Sequence, residues 1–260
     1  MKEALLLRLD GPMMSFGAVT AGNSVCTMVD NDAPADVFPG LSWLTGLLAN
    51  ALGLDHREHH KTQALQTRLE FAVRCDRFGG TLRDFQTVDL GQDFLRRGWT
   101  TRGIPEGRDG SVSDRTHIRY RNYICDSVYT IALSVRDSAD PDAPTLMDLG
   151  FALKEPERPL FFGRKCCVPT APIFLTMQQG ETLRGILAAY PAIEPERTTL
   201  FPLRARYPVQ ERALPSDKLI HVADIKDWAN GIHVGHRALL EGLLTPPPYM
   251  APLPVSLEGV

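Results

Sequence analysis

Apolar positions in the first 176 residues follow strand and helix periods in turn. A short apolar run at residues 4–9 predicts a buried strand that stops at Gly11 and Pro12, because this pair breaks regular structure. Alternation typical of strands returns at residues 69–75 and 127–135. A last strand of this region is predicted at residues 173–175.

Helical spacing marks two segments between these strands. Pro39 stands in a first-turn position, leucines follow at 41, 44, 47, 48 and 52, and Gly53 closes the helix. Leu146, Leu149 and Leu153 mark a second helix. The resulting order of elements is βαββαβ, which predicts an α+β protein with a ferredoxin-like or RNA-recognition core.

Periodicity is lost in two places. Residues 86–122 contain few aliphatic side chains and form an insertion between the two middle strands, so they should project from a hairpin. Beyond the core at 1–176, residues 177–260 predict an irregular extension packed on it. This extension has a helix near 181–190, short strands near 199–207 and 219–222, and an extended proline-rich tail.

Composition narrows the class of protein. The 260 residues are 43% apolar and 23% charged with a net charge of −3, which excludes a wholly disordered chain and a uniformly basic nucleic-acid binder. Five cysteines without a Cys-x-x-Cys pair favour a reducing cytosol. The longest apolar stretch, 38–54, is shorter than the roughly 20 residues of a membrane span, so no membrane association is expected.

Charge is nevertheless concentrated locally. Seven arginines lie between Arg96 and Arg121 against three acidic residues, a local net charge of +4, with Trp99, Tyr120 and Tyr123 among them. Guanidinium groups match phosphates and aromatic rings stack on bases, so this pattern indicates either an RNA-binding insertion or a solvated basic loop. The contrast with the acidic remainder of the chain counts against the solvated loop. A second patch, Arg158, Arg164 and Lys165, surrounds Gly163 and is interpreted either as a phosphate site or as a charged surface turn.

Motifs for other chemistries are absent. The chain has no phosphate-binding loop of the Gly-x-x-x-x-Gly-Lys type and no dinucleotide-binding glycine pattern. His56, His59 and His60 lie among charged residues and are interpreted as part of a solvated loop rather than as metal ligands. We therefore expect neither a cofactor nor a metal.

Six segments follow one another in a characteristic order. The first is Leu-Arg-Leu-Asp-Gly-Pro-Met-Met-Ser-Phe-Gly at 7–17, and the others are 38–48, 71–76, 82–88, 123–126 and the glycine-arginine segment at 162–169. Together these segments resemble the Cas-five family, whose type I-E members are subunits of the CRISPR surveillance complex called Cascade. The segment at 7–17 is similar to the family's first strand and turn.

The resemblance implies a non-catalytic subunit that holds the 5′ handle of the crRNA. Residues 86–122 would be the family's thumb, which caps the backbone of the complex. The implied partners are crRNA, the Cascade backbone subunits and the large subunit, with target DNA reached only indirectly through the complex, in the cytoplasm. The basic pattern and the resemblance together give these candidate RNA-binding residues: Met13, Met14, Ser42, Arg83, Arg96, Arg97, Trp99, Arg102, Arg115, His117, Arg119, Arg121, Gly163, Arg164, Lys165 and Cys166.

Two alternatives remain at this stage. The chain could be a metal-independent endoribonuclease that processes repeat RNA, with His117 as base and Arg115 or Arg119 beside the phosphate. Type I-C relatives with that activity usually carry a lysine-histidine pair, which is not found here. The second alternative is an unrelated ferredoxin-like metabolic or scaffold protein whose basic loop faces solvent.

Overall fold

The computed structural model consists of strands and four helices over most of the chain. It describes residues 1–17, 37–89, 97–99, 105–107, 116–192, 202–211 and 213–247. The helices are α1 (Leu41–Ala51), α2 (His59–Arg68), α3 (Leu146–Lys154) and α4 (Leu183–Ala189). The strands are β1 (Lys2–Met14), β2 (Leu69–Arg77), β3 (Gly80–Asp89), β4 (Arg97–Trp99), β5 (Pro105–Gly107), β6 (Thr116–Val135), β7 (Phe174–Gly180), β8 (Leu203–Pro208), β9 (Lys218–Asp227) and β10 (Ile232–Leu244).

Eight of these strands form one antiparallel sheet in the order β7-β1-β6-β2-β8-β10-β9, with β3 paired to β6 outside this path. Strand β6 is long enough to pair with two successive strands, β3 and β2, along one of its edges. Its second half pairs with β1 and β2, and its first half pairs with β3 as a two-stranded ribbon. Strands β4 and β5 pair only with each other. The chain is therefore a mixed α/β protein.

Alternation along β1 explains how the helices cover this sheet. Leu5, Leu7 and Leu9 belong to a core cluster that includes residues of α1 and α3, whereas Ala4 and Leu6 belong to a second cluster with α4. Because successive side chains of a strand point to opposite faces, α4 lies on the other face of the sheet from α1 and α3. Each fully buried leucine contributes about 2 kcal/mol of hydrophobic stabilisation, so β1 holds both layers together.

The predicted helices α1 and α3 are both present, and the ends of α3 follow local sequence rules. Thr145 and Asp148 form a reciprocal capping box: the threonine hydroxyl accepts from the Asp148 N–H, and the carboxylate accepts from the Thr145 N–H. Lys154 follows in the last turn, where a cation is favourable. The leucines at 149 and 153 are buried, as their spacing predicts.

Strand β1 does not stop at the glycine-proline pair, so that boundary prediction is wrong. Gly11 pairs with Ser127 and Met13 pairs with Cys125, which leaves Pro12 between two paired positions. A side chain at Gly11 would lie 3.0 Å from the carbonyl oxygen of Val168, so the glycine permits close approach of another backbone rather than a turn.

The histidine-rich segment is also not a loop throughout. His59 and His60 begin α2, whose buried residues are only Thr62, Leu65 and Gln66. This helix has little apolar surface, which is why its periodicity was not detected. Among the described residues, no group of three or more His, Cys, Asp or Glu side chains is arranged to hold a metal ion.

The described part of the C-terminal region is regular, in contrast to the expected irregular extension. Helix α4 and strands β8, β9 and β10 follow residue 177, and the three strands continue the main sheet beyond β2. Strand β10 was not predicted. The proline-rich tail after residue 247 lies outside the described residues. No helix in the described ranges has the length and apolarity that crossing a bilayer requires.

Candidate nucleic-acid interface

A groove of about 500 Å³ lies between helix α1 and the segment 158–165. Ser42, Trp43 and Gly46 line it from the helix, and Arg164 and Lys165 line it from the facing segment. We call this space the α1 groove. It brings together the candidate residue Ser42 of α1 and the candidates Gly163, Arg164 and Lys165 of the facing segment.

Gly163 fixes the shape of the α1 groove. Its φ angle is +93°, and a Cβ atom there would stand 1.8 Å from the carbonyl oxygen of Ser15. The backbone of Ser15 donates to the carbonyl oxygen of Phe162 at 2.9 Å, and the indole N–H of Trp43 donates to the carbonyl oxygen of Ser15 at 3.1 Å. The end of β1, the start of α1 and the glycine-arginine segment therefore meet around one backbone carbonyl.

Aromatic rings stabilise this junction from within. Phe16 makes an edge contact with Trp43 at 5.0 Å between ring centroids and another with Tyr129 at 5.4 Å. Trp43 also contacts Phe162 at 6.1 Å. Such pairs contribute about 1 kcal/mol each beyond the area they bury, so the groove wall is rigid.

The glycine-arginine segment is a closed loop that presents cations. The backbone N–H of Phe162 donates to the carbonyl oxygen of Cys167 at 2.8 Å. The N–H of Cys167 donates in turn to the carbonyl oxygen of Arg164, also at 2.8 Å. Lys165 and Cys166 are exposed. Cys167 is buried, and this burial raises the pKa of its thiol to about 11, so it is a core residue rather than a reactive thiol.

Arg164 has a buried donor with no acceptor. Its guanidinium lies 4.8 Å from the ring centroid of Tyr123, yet Nη1 is inaccessible to solvent and finds no hydrogen-bond partner among the described residues. A buried donor left without an acceptor is costly. Because Arg164 also lines the α1 groove, its positive charge favours an anion there.

Tyr123 connects the α1 groove to the ribbon of β3 and β6. It lies in register with Leu82, and Asp84 lies opposite Arg121 two pairs further on. Because side chains alternate along a strand, positions 121 and 123 share one face of the ribbon. Arg121 is exposed. A cation therefore follows Tyr123 on this face of the ribbon, opposite Asp84.

Arg83 belongs to the other face of the ribbon. Its guanidinium stacks 3.8 Å above the Tyr120 ring, and Phe85 contacts the same ring at 5.7 Å between centroids. Both Arg83 and Phe85 are exposed. The described part of the ribbon therefore has the exposed Arg121 on one face and an arginine-aromatic cluster on the other.

Several candidates stand apart from these surfaces. Met14 is fully buried in the core, and Met13 is half-buried against it. Arg158 lines the groove, but its guanidinium donates to the carbonyl oxygens of Gly53 and Leu54 and so holds the turn that follows α1. Arg97 and Trp99 form β4 and His117 and Arg119 lie in β6, while Arg96, Arg102 and Arg115 lie outside the described residues.

Sequence reasoning missed the contribution of the C-terminal strands. The Ser42 hydroxyl lies 3.1 Å from Nε2 of His233 in β10. Asp224 in β9 accepts from the N–H of Leu41 at 2.8 Å and is paired with Arg237. Burial, and then the charge of Lys226, lower the pKa of His233, so its imidazole is neutral at pH 7. The first turn of α1 is thus held by residues almost 200 positions away.

Comparison with known proteins gives a consistent family. Residues 4–238 match the family described as "CRISPR-associated protein (Cas_Cas5)". The chain is 32% identical over 188 residues to the "CRISPR system Cascade subunit CasD" of Escherichia coli (strain K12), covering 72% of this chain and 77% of the relative. The predicted family resemblance is therefore confirmed.

Solved structures agree with this match. A chain of a "CRISPR RNA-guided surveillance complex" superposes with a TM-score of 0.61 at 25% identity, covering 94% of this chain and 91% of that one. A "Crystal structure of Cas protein" superposes with a TM-score of 0.59 at 24% identity, covering 95% and 98%, and supports the fold alone.

Proposed function

Because the chain belongs to the Cas5 family of CRISPR-associated proteins, we propose that it is a crRNA-binding subunit of a type I-E surveillance complex. It holds the 5′ handle of the crRNA, in the cytoplasm, as part of antiviral defence. The E. coli relative is named as a Cascade subunit, and the similar solved chain comes from an RNA-guided surveillance complex. These names support both an RNA ligand and an assembly of subunits.

The observation that carries the proposal is the convergence of three segments at the α1 groove. The end of β1, helix α1 and the Gly163 loop are distant in sequence, yet they meet at the Ser15 carbonyl oxygen. Arg164 offers a buried donor without an acceptor, and Lys165 adds an exposed cation beside it. A groove of about 500 Å³ accommodates a nucleotide, with its phosphate beside Arg164 and Lys165.

The ribbon of β3 and β6 supports the second part of the proposal. The four strands β7, β1, β6 and β2 serve as the ferredoxin-like core, and residues 86–122, to which part of the ribbon belongs, serve as the thumb. Arg121 is exposed on the face of the ribbon that also carries Tyr123, against which Arg164 packs. RNA bound in the α1 groove would continue past Arg121, with backbone contacts supplying affinity.

Binding rather than cleavage is favoured by what lines the α1 groove. Among the described residues that line it there is no histidine and no carboxylate, and the nearby His233 ring is engaged by the Ser42 hydroxyl at 3.1 Å. The alternative base, His117, belongs to the ribbon rather than to the groove. We propose that the chain is not a nuclease and that its partners are crRNA, the backbone subunits and the large subunit, with target DNA reached through the complex.

A binding measurement with a matched pair of variants tests the proposal. Arg164 stacks on Tyr123 at 4.8 Å, and Arg184 stacks on Tyr207 at 5.1 Å on the opposite face of the sheet. We expect Arg164→Ala to weaken binding of single-stranded repeat RNA about ten-fold or more and Arg184→Ala to leave it unchanged, because only one of them faces the groove. The full-length chain is incubated with labelled RNA in EDTA and analysed on native and denaturing gels.

Three results would contradict the proposal. Equal affinity of the two variants would remove the α1 groove as the binding site. Failure of the wild-type chain to bind repeat RNA, both alone and when reconstituted with the other subunits, would remove the function itself. A discrete cut that is lost in His117→Ala would make the protein a processing nuclease.

A further inference from the structure

The turn between β9 and β10 packs against residues of α1 that line the α1 groove. Ser42 lines the groove, and its hydroxyl lies 3.1 Å from Nε2 of His233 near the start of β10. A Cβ atom on Gly46, another groove residue, would lie 3.4 Å from the ring of Trp228 at the turn. The C-terminal strands thus contact the same side of α1 that faces the candidate RNA.

Helix α2 holds this turn rigidly in place. Gln66 is buried and donates to the carbonyl oxygen of Lys226 at 2.8 Å, and its amide oxygen accepts from the indole N–H of Trp228 at 3.1 Å. Gln63 accepts from the backbone N–H of Trp228 at 3.1 Å. A side chain carried by such an anchored turn has little conformational freedom to lose when a ligand binds.

The charge at the turn suits a phosphate. Lys226 pairs with His233 across the two strands, and its ammonium group lies 4.4 Å from the Trp228 ring centroid. The carboxylates nearby are engaged elsewhere: Asp224 binds Arg237 and the N-terminus of α1, and Asp227 accepts from backbone groups of its own turn. The ammonium group of Lys226 therefore supplies positive charge beside the turn that packs against Ser42 and Gly46.

We propose that Lys226, His233 and Ser42 form a second contact site for the RNA backbone, next to the nucleotide held at Arg164. Lys226 contacts a phosphate, and the Ser42–His233 pair makes hydrogen bonds to the adjoining sugar-phosphate oxygens. The Trp228 ring holds the ammonium group of Lys226 in position through a cation–π contact. This inference rests on the proposed function, and it assigns an RNA-binding role to a part of the chain where none was predicted.

Salt-dependent binding of Lys226→Ala tests the inference. The probe is single-stranded RNA with the handle sequence of the cognate repeat, bound to the full-length chain at several salt concentrations. We expect affinity to fall about three- to ten-fold and the slope of log K against log salt to decrease by about 0.7, because one phosphate contact is lost. Lys218→Ala, which removes the same charge at the opposite end of β9, should change neither quantity.

Two histidine variants test the hydrogen-bonding part. His233→Gln retains a side-chain amide that can bond to Ser42, whereas His233→Leu does not, so only the leucine variant should weaken binding. Thermal unfolding of each variant identifies a folding defect, and a Lys226→Gln variant with wild-type stability gives the same binding measurement if the alanine variant unfolds.

The outcomes separate the inference from the function on which it rests. If Lys226→Ala and Lys226→Gln bind as the wild type does while Arg164→Ala is weakened, the inference is overturned and the turn is free for a protein subunit. An unchanged salt slope despite weaker binding also overturns it, because a purely structural role has that signature. If neither the wild type nor any variant binds the RNA, the proposed function fails together with the inference.

Discussion

The carboxylate of Asp224 accepts the backbone N–H of Leu41 at 2.8 Å, across 183 residues of chain. Helix α1 begins after Gly40, which has no side chain to cap it. The cap comes instead from β9, and Arg237 in β10 balances its charge. The C-terminal strands therefore determine where the helix that lines the candidate RNA groove begins.

Loss of this cap should destabilise the whole protein. Asp224 is 1% exposed, so Asp224→Ala leaves Arg237 with an unpaired charge and Leu41 with an unsatisfied donor. We expect a loss of about 3–5 kcal/mol in the free energy of unfolding, measured by urea denaturation. The exposed Asp137 offers a control, since its replacement by alanine should change stability by less than about 0.5 kcal/mol.

A double variant distinguishes the cap from the ion pair. Arg237→Leu alone leaves Asp224 buried and charged, whereas Asp224→Asn with Arg237→Leu removes both charges and keeps an acceptor for Leu41. We expect the double variant to be more stable than either Asp224→Ala or Arg237→Leu, because no buried charge remains unpaired. Additive losses would show that the two residues act independently.

Replacement of Gly163 should affect stability and RNA binding together. Gly163→Ala adds a Cβ atom 1.8 Å from the Ser15 carbonyl oxygen at a φ of +93°, so the loop must move away from β1. We expect a loss of at least about 3 kcal/mol and weaker binding of repeat RNA, measured by urea denaturation and gel shift.

Gly231 provides the matched control for this effect. It also has a positive φ, +73°, but nothing lies within 4 Å of an added Cβ atom. Gly231→Ala should therefore cost only the conformational penalty of about 1 kcal/mol. Equal losses in the two variants would mean that the contact with Ser15 does not constrain the Gly163 loop.

Arg74 should be the most sensitive charged residue of the central sheet. It is completely buried, pairs with Asp76, and donates to carbonyl oxygens of Leu187, Tyr190 and Pro191 at the end of α4. Arg74→Leu leaves the Asp76 carboxylate buried without its partner and should cost about 3–5 kcal/mol. Urea denaturation measures this loss.

The half-buried Arg77, three positions later on β2, is not a suitable control because it also bonds to a backbone oxygen. Lys2 is better: its ion pair with Glu70 is partly exposed, and Lys2→Ala should cost at most about 1 kcal/mol. Equal effects of Arg74→Leu and Lys2→Ala would contradict the structural role assigned to Arg74.

His233 should make stability depend on pH. Burial and then the positive charge of Lys226 lower its pKa in the folded protein, against a smaller opposite effect of Asp224. The unfolded chain therefore binds more protons than the folded one below about pH 6.5, so the contribution of His233 to stability falls as pH decreases through this range. The destabilisation due to His233 stops growing once the pH is below the pKa of His233 in the folded protein.

Comparison with His233→Gln isolates this effect. The difference in unfolding free energy between wild type and variant should shift against the wild type between pH 7.5 and 5, and imidazole resonances should give a pKa below 6.5. A pH-independent difference, or a pKa above 6.5, would contradict the buried position of His233 beside Ser42.

Sequence periodicity predicted the parts of the fold whose stabilising contacts are local or strongly apolar. The leucine spacing of α1 and of α3 is recognisable in the sequence, and both helices are present. Helix α2 escaped detection because only Thr62, Leu65 and Gln66 are buried, so contacts made by glutamines with β9 rather than apolar periodicity stabilise it.

The candidate site was predictable only in part for the same reason. Gly163 and Arg164 stand out in sequence as a glycine flanked by cations, and the structure places both beside α1. Asp224 and His233 carry no local signal, because their roles depend on Leu41 and Ser42, almost 200 residues earlier. A single sequence without its fold does not show which distant strand borders a helix.

The most direct test of the central claim is crosslinking of handle RNA to the full-length chain. The RNA carries a photoreactive 4-thiouridine near its 5′ end, and crosslinked peptides are identified by mass spectrometry. We predict crosslinks to peptides that contain Trp43 and residues 163–166, with competition by unlabelled RNA but not by DNA of the same sequence. Crosslinks confined to peptides of α3 or α4, with none at Trp43 or residues 163–166, would contradict the assignment of the α1 groove as the RNA-binding site.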